Sequence, residues 1–198
     1  MDLELTYIKN PDGSKTLSIA DDRKALAVAF LRDGGSKRAA EIEAIVEEGH
    51  AALLRAIEGL SDEQSKFKPG PDEWSVLELM AHVVTAKQIV GVLSAGLAEG
   101  TLPPGFGSPL EAAAAQDGVT VSRFETLEAA RAAADSAHTV LLNFVRSADG
   151  PVNVDMTFRH FVFGALNCRE WAVFQRLHDD DHRPQINAIR AAPGFPLA

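Results

Sequence analysis

The chain has 198 residues, 46% of them hydrophobic and 24% charged, which suits one globular domain with a sizeable core and gives no sign of disorder. Its formal net charge is -9 and it has no dense Lys/Arg run, so nucleic acid is set aside as a partner. The single cysteine, Cys168, makes neither an intrachain disulfide nor a cysteine-based zinc site, so any metal is expected on histidine and carboxylate groups.

In chain order, Leu3, Leu5 and Tyr7 alternate with polar residues up to the turn sequence Asn10-Pro11-Asp12-Gly13, and "TLSI" follows, which predicts a small hairpin. "DDRKALAVAFLRDGG" reads as a short helix with acids first and Gly34 placed to end it. Residues 1–35 are assigned to an N-terminal extension, a lid or a packing arm, and residues 36–198 to the main domain. From Ser36 on, Ile42, Ile45, Val46, Leu53, Ile57 and Leu60 follow the three-and-four spacing of one buried helical face, closed by Gly59 and Ser61-Asp62-Glu63. After the proline-broken "KFKPGPDEW", the run "SVLELMAHVVTAKQIVGVL" predicts a second helix, with Ser75 as N-cap and Glu78 at capping-box spacing. The Gly/Pro segment "GLAEGTLPPGFGSP" leads to a third helix from about Ser122 to Ser147, capped by Ser122 or Thr126. "ADGPVNVDMTFRHFVFG" reads as an irregular or extended connector, and a last helix runs from about Asn167 into "INAIRAA". Four long amphipathic helices predict an all-α four-helix bundle, and the long connection between the second and third predicts a crossover. The Met1 end shows no basic region followed by an apolar run, and no stretch of about 18 apolar residues stands out, so a cytoplasmic protein with no membrane partner is expected.

The six histidines are then the residues to follow. In the last helix Trp171, Phe174, His178, His182, Gln185 and Ile189 recur at intervals of three or four and share one stripe. The two histidines lie inside it; Asp179 and Asp180 are expected on the exposed face, with Asp181 near the edge of the stripe. Imidazoles four residues apart are separated by about 6 Å along a helix axis and can chelate one ion. In the second helix Leu79, His82, Ala86, Ile89 and Leu93 form another stripe, which offers His82 as a third nitrogen. Three imidazoles leave a position open to water or substrate, the arrangement of a catalytic metal. Spacing alone leaves another reading open, because a histidine on an apolar face is more often a hydrogen-bonded core residue.

The other histidines compete for that role. Glu47-x-x-His50 and Asp135-x-x-His138 have the carboxylate-histidine spacing of di-iron bundles, with Glu78 as a further oxygen. That set is incomplete, so His50 and His138 are expected as partly exposed bundle residues. Arg159 and His160 belong to the connector, where they are weighed as groups at the mouth of the site. Cys168 lies roughly 15 Å along the helix from His178 and is expected as a small core residue. Pro184, two residues after His182, predicts a kink.

Two segments carry a family resemblance. "PDEWSVLELMAHVVTA" has a Trp-Ser-x-x-Glu-x-x-x-His order; "FRHFVFGALNCREWAVFQRLHDDDHRPQI" has Phe-Gly before the last helix, Glu-Trp within it, and His-x-x-x-His followed by Gln-Ile. In these features the chain, over roughly residues 36–192, resembles the DinB-like (damage-inducible) superfamily of metal-dependent hydrolases and thiol transferases. The resemblance implies an up-down-down-up bundle, homodimers, and His82, His178 and His182 as ligands of a divalent metal ion, commonly nickel or zinc. Trp74 and Gln185 also stand where the family has them, whereas Asp181 stands where members often carry a basic residue. The implied activity is a metal-dependent thiol S-transferase or hydrolase acting on a small-molecule substrate, with a low-molecular-weight thiol as a cofactor. The alternative is a non-catalytic, metal-stabilised ligand-binding or stress-associated dimer. Glu78, one turn before His82, and Gln185 are candidates to orient the imidazoles or a bound water, and a capping box is the competing role of Glu78.

Overall fold

The computed structural model describes residues 6–9, 15–103, 106 and 123–197. Strand β1 (Thr6–Lys9) pairs antiparallel with β2 (Lys15–Ser18), so the predicted hairpin forms, with its turn residues outside the described ones. Helix α1 (Asp21–Gly35) opens with Asp21 and Asp22 against the positive end of its dipole. Its Ala27 and Leu31 are fully buried in the same apolar cluster as Trp171 and Leu177, so it packs into the core as an arm. Gly34 permits that approach, because a Cβ there would lie 2.7 Å from a methyl of Val173.

Four long helices follow: α2 (Ala39–Ala56), then, after the short α3 (Asp62–Lys66), α4 (Val76–Ala98), α5 (Leu127–Ser147) and α6 (Cys168–Arg190). Two of their caps, Ser75 and Thr126, are ones the sequence predicts. Ser75 accepts from Glu78 N, Thr126 from Ala129 N, and Asn167 from both Arg169 N and Glu170 N, each supplying a partner to donors that the first turn leaves free. The third bundle helix thus starts at Leu127, and Ser122 lies outside the described residues.

Helix directions follow from two apolar clusters. One takes Ile42 and Val46 from the start of α2, Leu93 and Leu97 from the end of α4, Leu141 and Val145 from α5, and Trp171 and Leu177 from the start of α6. The other takes Leu53 and Ile57 from the end of α2, Leu77 to Val84 from the start of α4, Ala130 to Ala137 from the start of α5, and Ile186 and Ile189 from α6. Helices α2 and α6 therefore run one way and α4 and α5 the other, an up-down-down-up bundle. Parallel neighbours α4 and α5 oblige the chain to travel back along a helix of about 35 Å, which is why a long crossover joins them. Most of that crossover, residues 104–105 and 107–122, lies outside the described residues.

The structure refines some expectations and corrects others. The connector before α6 holds a second hairpin, β3 (Thr157–His160) with β4 (Gly164–Asn167), and Gly164 supplies the positive φ of 78° at its turn. Asp179 and Asp180, expected on an exposed face, are 0% and 2% exposed. Helix α6 is flanked by α1, α2 and α4, so more than one of its faces is covered and a single stripe understates its burial. His50 and His138, expected as partly exposed, are buried for a similar reason: they meet each other across the α2–α5 seam. Helix α4 is long and apolar enough by composition to cross a membrane, a standard the sequence reading did not grant it, yet most of its apolar window is buried inside the bundle. Helix α6 continues through Pro184 to Arg190.

Candidate metal centre

His82 projects from the second turn of α4, and His178 and His182 project from adjacent turns of α6. The stripe periodicity aims them at one another. His82 Nε2 lies 3.2 Å from His178 Nε2, and His182 Nε2 lies 3.2 Å from the same atom. The ligand atoms of all three residues fall within 4.8 Å of one another, and among the described residues this is the group of histidines and carboxylates so arranged. Trp74 lies against the His82 ring at a centroid distance of 5.2 Å and is 45% exposed, so an indole marks the solvent side of the cluster.

The arrangement fits a divalent cation. Separations of 3.2 Å are shorter than twice a zinc–imidazole bond of about 2.0–2.1 Å, so one ion can touch both members of each pair. Metal ligation needs the neutral imidazole. Burial pushes His82 down to about 4 and His182 down to about 3, and it holds His178 well below the ordinary histidine range, helped by the two neighbouring rings. All three are therefore neutral at neutral pH, with their Nε2 atoms facing inward. The Nδ1 atoms of His178 and His182 are buried without a hydrogen-bond partner among the described residues.

The two supporting candidates lie close by. Glu78 Oε2 accepts from Ser75 N at 2.8 Å and Oε1 pairs with Lys68 at 2.7 Å, so the contacts it makes are those of a capping box and an ion pair. Gln185 Nε2 donates to Asp181 Oδ2 at 3.3 Å, and its nearness to His182 offsets part of the burial effect on that ring. His160 is not one of the three converging rings, although it is near enough to His178 to act on its charge and both pack on Phe174. It is buried between Phe161, Phe163 and Phe174, and its Nδ1 accepts from the backbone N–H groups of Val162 and Phe163, which fixes the proton on Nε2. Arg159 is exposed, and Cys168 is buried with its thiol pushed up by burial.

A second polar cluster occupies the same middle layer between the two apolar clusters. Lys87 is fully buried, and its Nζ donates to Asp179 Oδ2 at 2.9 Å and to His50 Nδ1 at 3.1 Å. His50 must then carry its proton on Nε2, which donates to Asp135 Oδ1 at 2.9 Å. His138 stacks on His50 at a ring separation of 4.0 Å, and its Nε2 approaches Glu47 only to 3.5 Å. Burial, aided by the Lys87 charge, pushes both rings down to about 4. The two carboxylate-histidine pairs therefore meet, but crosswise, each histidine facing the other helix's carboxylate. Neither Lys87 nor Asp179 stands out from helical periodicity as part of a polar cluster. The signal for Lys87 was its place as the single charged residue between Glu78 and Glu99.

Residues 45–186 match the model of a family described as the DinB superfamily. No curated protein and no solved structure matches the chain.

Proposed function

This chain belongs to the DinB superfamily, and from that membership together with the converging imidazoles we propose that it is a metal-dependent thiol S-transferase or hydrolase acting on a small molecule. The observation that carries the reading is the meeting of three neutral Nε2 atoms from two helices, 3.2 Å apart in two of their pairs. His82, His178 and His182 would hold the ion, with nickel and zinc the favoured metals. Bound there with three protein ligands, a divalent ion supplies a Lewis acid that lowers the pKa of water or keeps a substrate thiol as thiolate. The chain's own contribution is to keep three imidazoles unprotonated and aimed. Burial does the first, and the packing of α4 on α6 does the second. Trp74, with its exposed indole face beside His82, is the group we assign to contact an apolar part of the substrate.

Metal analysis of the purified protein beside the His178→Ala/His182→Ala variant tests the reading, followed by thiol-transfer and ester-hydrolysis assays with the metal found. About one ion per chain in the wild type, none in the variant, and metal-dependent turnover are expected. Absence of bound metal after incubation with nickel or zinc would refute it. Binding with no turnover, together with collapse of helicity on chelation, would favour the metal-stabilised, non-catalytic alternative.

A further inference from the structure

The buried polar chain of the middle layer takes one residue from each bundle helix. Asp135 of α5, His50 of α2, Lys87 of α4 and Asp179 of α6 are linked in that order at 2.9, 3.1 and 2.9 Å. The histidine triad, in the same layer, is divided between α4 and α6 alone. Lys87 follows His82 by five residues on α4, and Asp179 directly follows His178 on α6. Two contacts therefore cross the same seam close together: His82 Nε2 to His178 Nε2 at 3.2 Å, and Lys87 Nζ to Asp179 Oδ2 at 2.9 Å. Side chains on a helix lean toward its N-terminus, which carries Nζ back toward the turn that holds His82.

The two seam contacts differ in how they tolerate slip. Apolar side chains repack when one helix slides along another, whereas a fully buried ion pair has one position in which both charges are satisfied. Sliding by one turn displaces the groups by about 5.4 Å and strands two charges away from solvent. Such pairs add little net stability over apolar residues of the same volume, and their best attested use is to select one register. Gln175 Nε2 holds the other Asp179 oxygen at 2.8 Å, which fixes the direction of the carboxylate. We propose that the Asp179–Lys87–His50–Asp135 chain is a positioning device that sets α4 against α6 in the register at which the Nε2 atoms of His82, His178 and His182 converge. The proposal rests on the reading of that triad as a metal centre.

The test is a nickel titration against a competing chelator, combined with melting of the metal-free protein and the absorption spectrum of the cobalt(II)-loaded protein. The variant Lys87→Met/Asp179→Asn removes both charges together and keeps an acceptor for Gln175. It leaves His50 Nδ1 without its donor, so a modest fall in melting temperature with helicity retained is expected, together with nickel binding about 10-fold weaker or worse and shifted cobalt bands. A pair that is merely structural would move the melting temperature and leave affinity and bands unchanged, which overturns the proposal. Should that variant not fold, Asp135→Asn at the exposed end of the chain decides. A weakening of about two- to threefold with unchanged melting supports the proposal, and unchanged affinity overturns it. A wild type that binds neither nickel nor cobalt overturns the metal centre itself, and that failure is visible before any variant is compared.

Discussion

Two histidine clusters share the middle layer of this bundle, and they differ in orientation more than in burial. In the triad, three rings meet edge-on through Nε2. In the α2–α5 cluster, His50 and His138 lie nearly parallel, 18° between planes, and imidazole lone pairs lie in the ring plane, so theirs cannot point at a shared atom between the rings. All five rings have pKa values pushed down by burial. Burial thus makes a histidine neutral, while orientation and neighbouring charge decide what a neutral histidine does. One cluster, among the described residues, has no ammonium or carboxylate bonded to its converging nitrogens and suits a cation. The other surrounds an ammonium, Lys87, with its own counterion and suits the bundle's internal bonding.

Breaking the comparison at its centre should give the largest effect. His178→Ala, which removes the nitrogen shared by both 3.2 Å contacts, should cut nickel or zinc affinity by about 100-fold or more in a chelator competition; His138→Ala should leave that affinity unchanged. Next comes Lys87→Ala by itself. It leaves the fully buried Asp179 without its cation and should destabilise the fold by about 3–5 kcal/mol in urea unfolding, well beyond the cost of the charge-free double variant.

The pH dependence sharpens the contrast further. His50 and His138 titrate near 4 in the folded chain and near 6.5 when unfolded, so the unfolded chain binds more protons between those values. Their contribution to stability is intact above about pH 6.5 and is lost as the pH falls toward 4. His138→Phe should flatten this part of the curve of melting temperature against pH. At pH 7 it should cost little, because among the described residues neither nitrogen of His138 has a hydrogen-bond partner and its contact with half-exposed Glu47 is long. Parallel curves for variant and wild type would show that this stack does not govern the acid limb. The smallest effect is expected from Glu78→Gln. A residue that acts only in the capping box and the Lys68 pair should leave metal affinity unchanged, and a loss of 10-fold or more would make it a partner of the metal ligands.

Much of the molecule was legible in the order of its residues. The caps at Ser75 and Thr126, the start of the last helix near Asn167, the crossover demanded by a long Gly/Pro segment, and the stripe that aligns Trp171, Phe174, His178 and His182 all follow from local geometry and helical period. So does the meeting of His82 with the α6 pair, because each lies on the apolar side of its own helix. Periodicity reports one direction, the face with the most apolar residues. It does not report how many neighbours enclose a helix. Asp179 and Asp180 were therefore misplaced on an exposed face, since only assembly shows α6 covered by α1, α2 and α4 together. The crossed pairing of Glu47 and His50 with Asp135 and His138 was likewise invisible, because spacing within each helix is independent of rotation about its axis. Lys87 could be seen as an isolated charge in an apolar helix, but its role depends on residues more than thirty positions away in either direction, His50 and Asp179, which only the packed bundle brings within 3.1 Å of its amine.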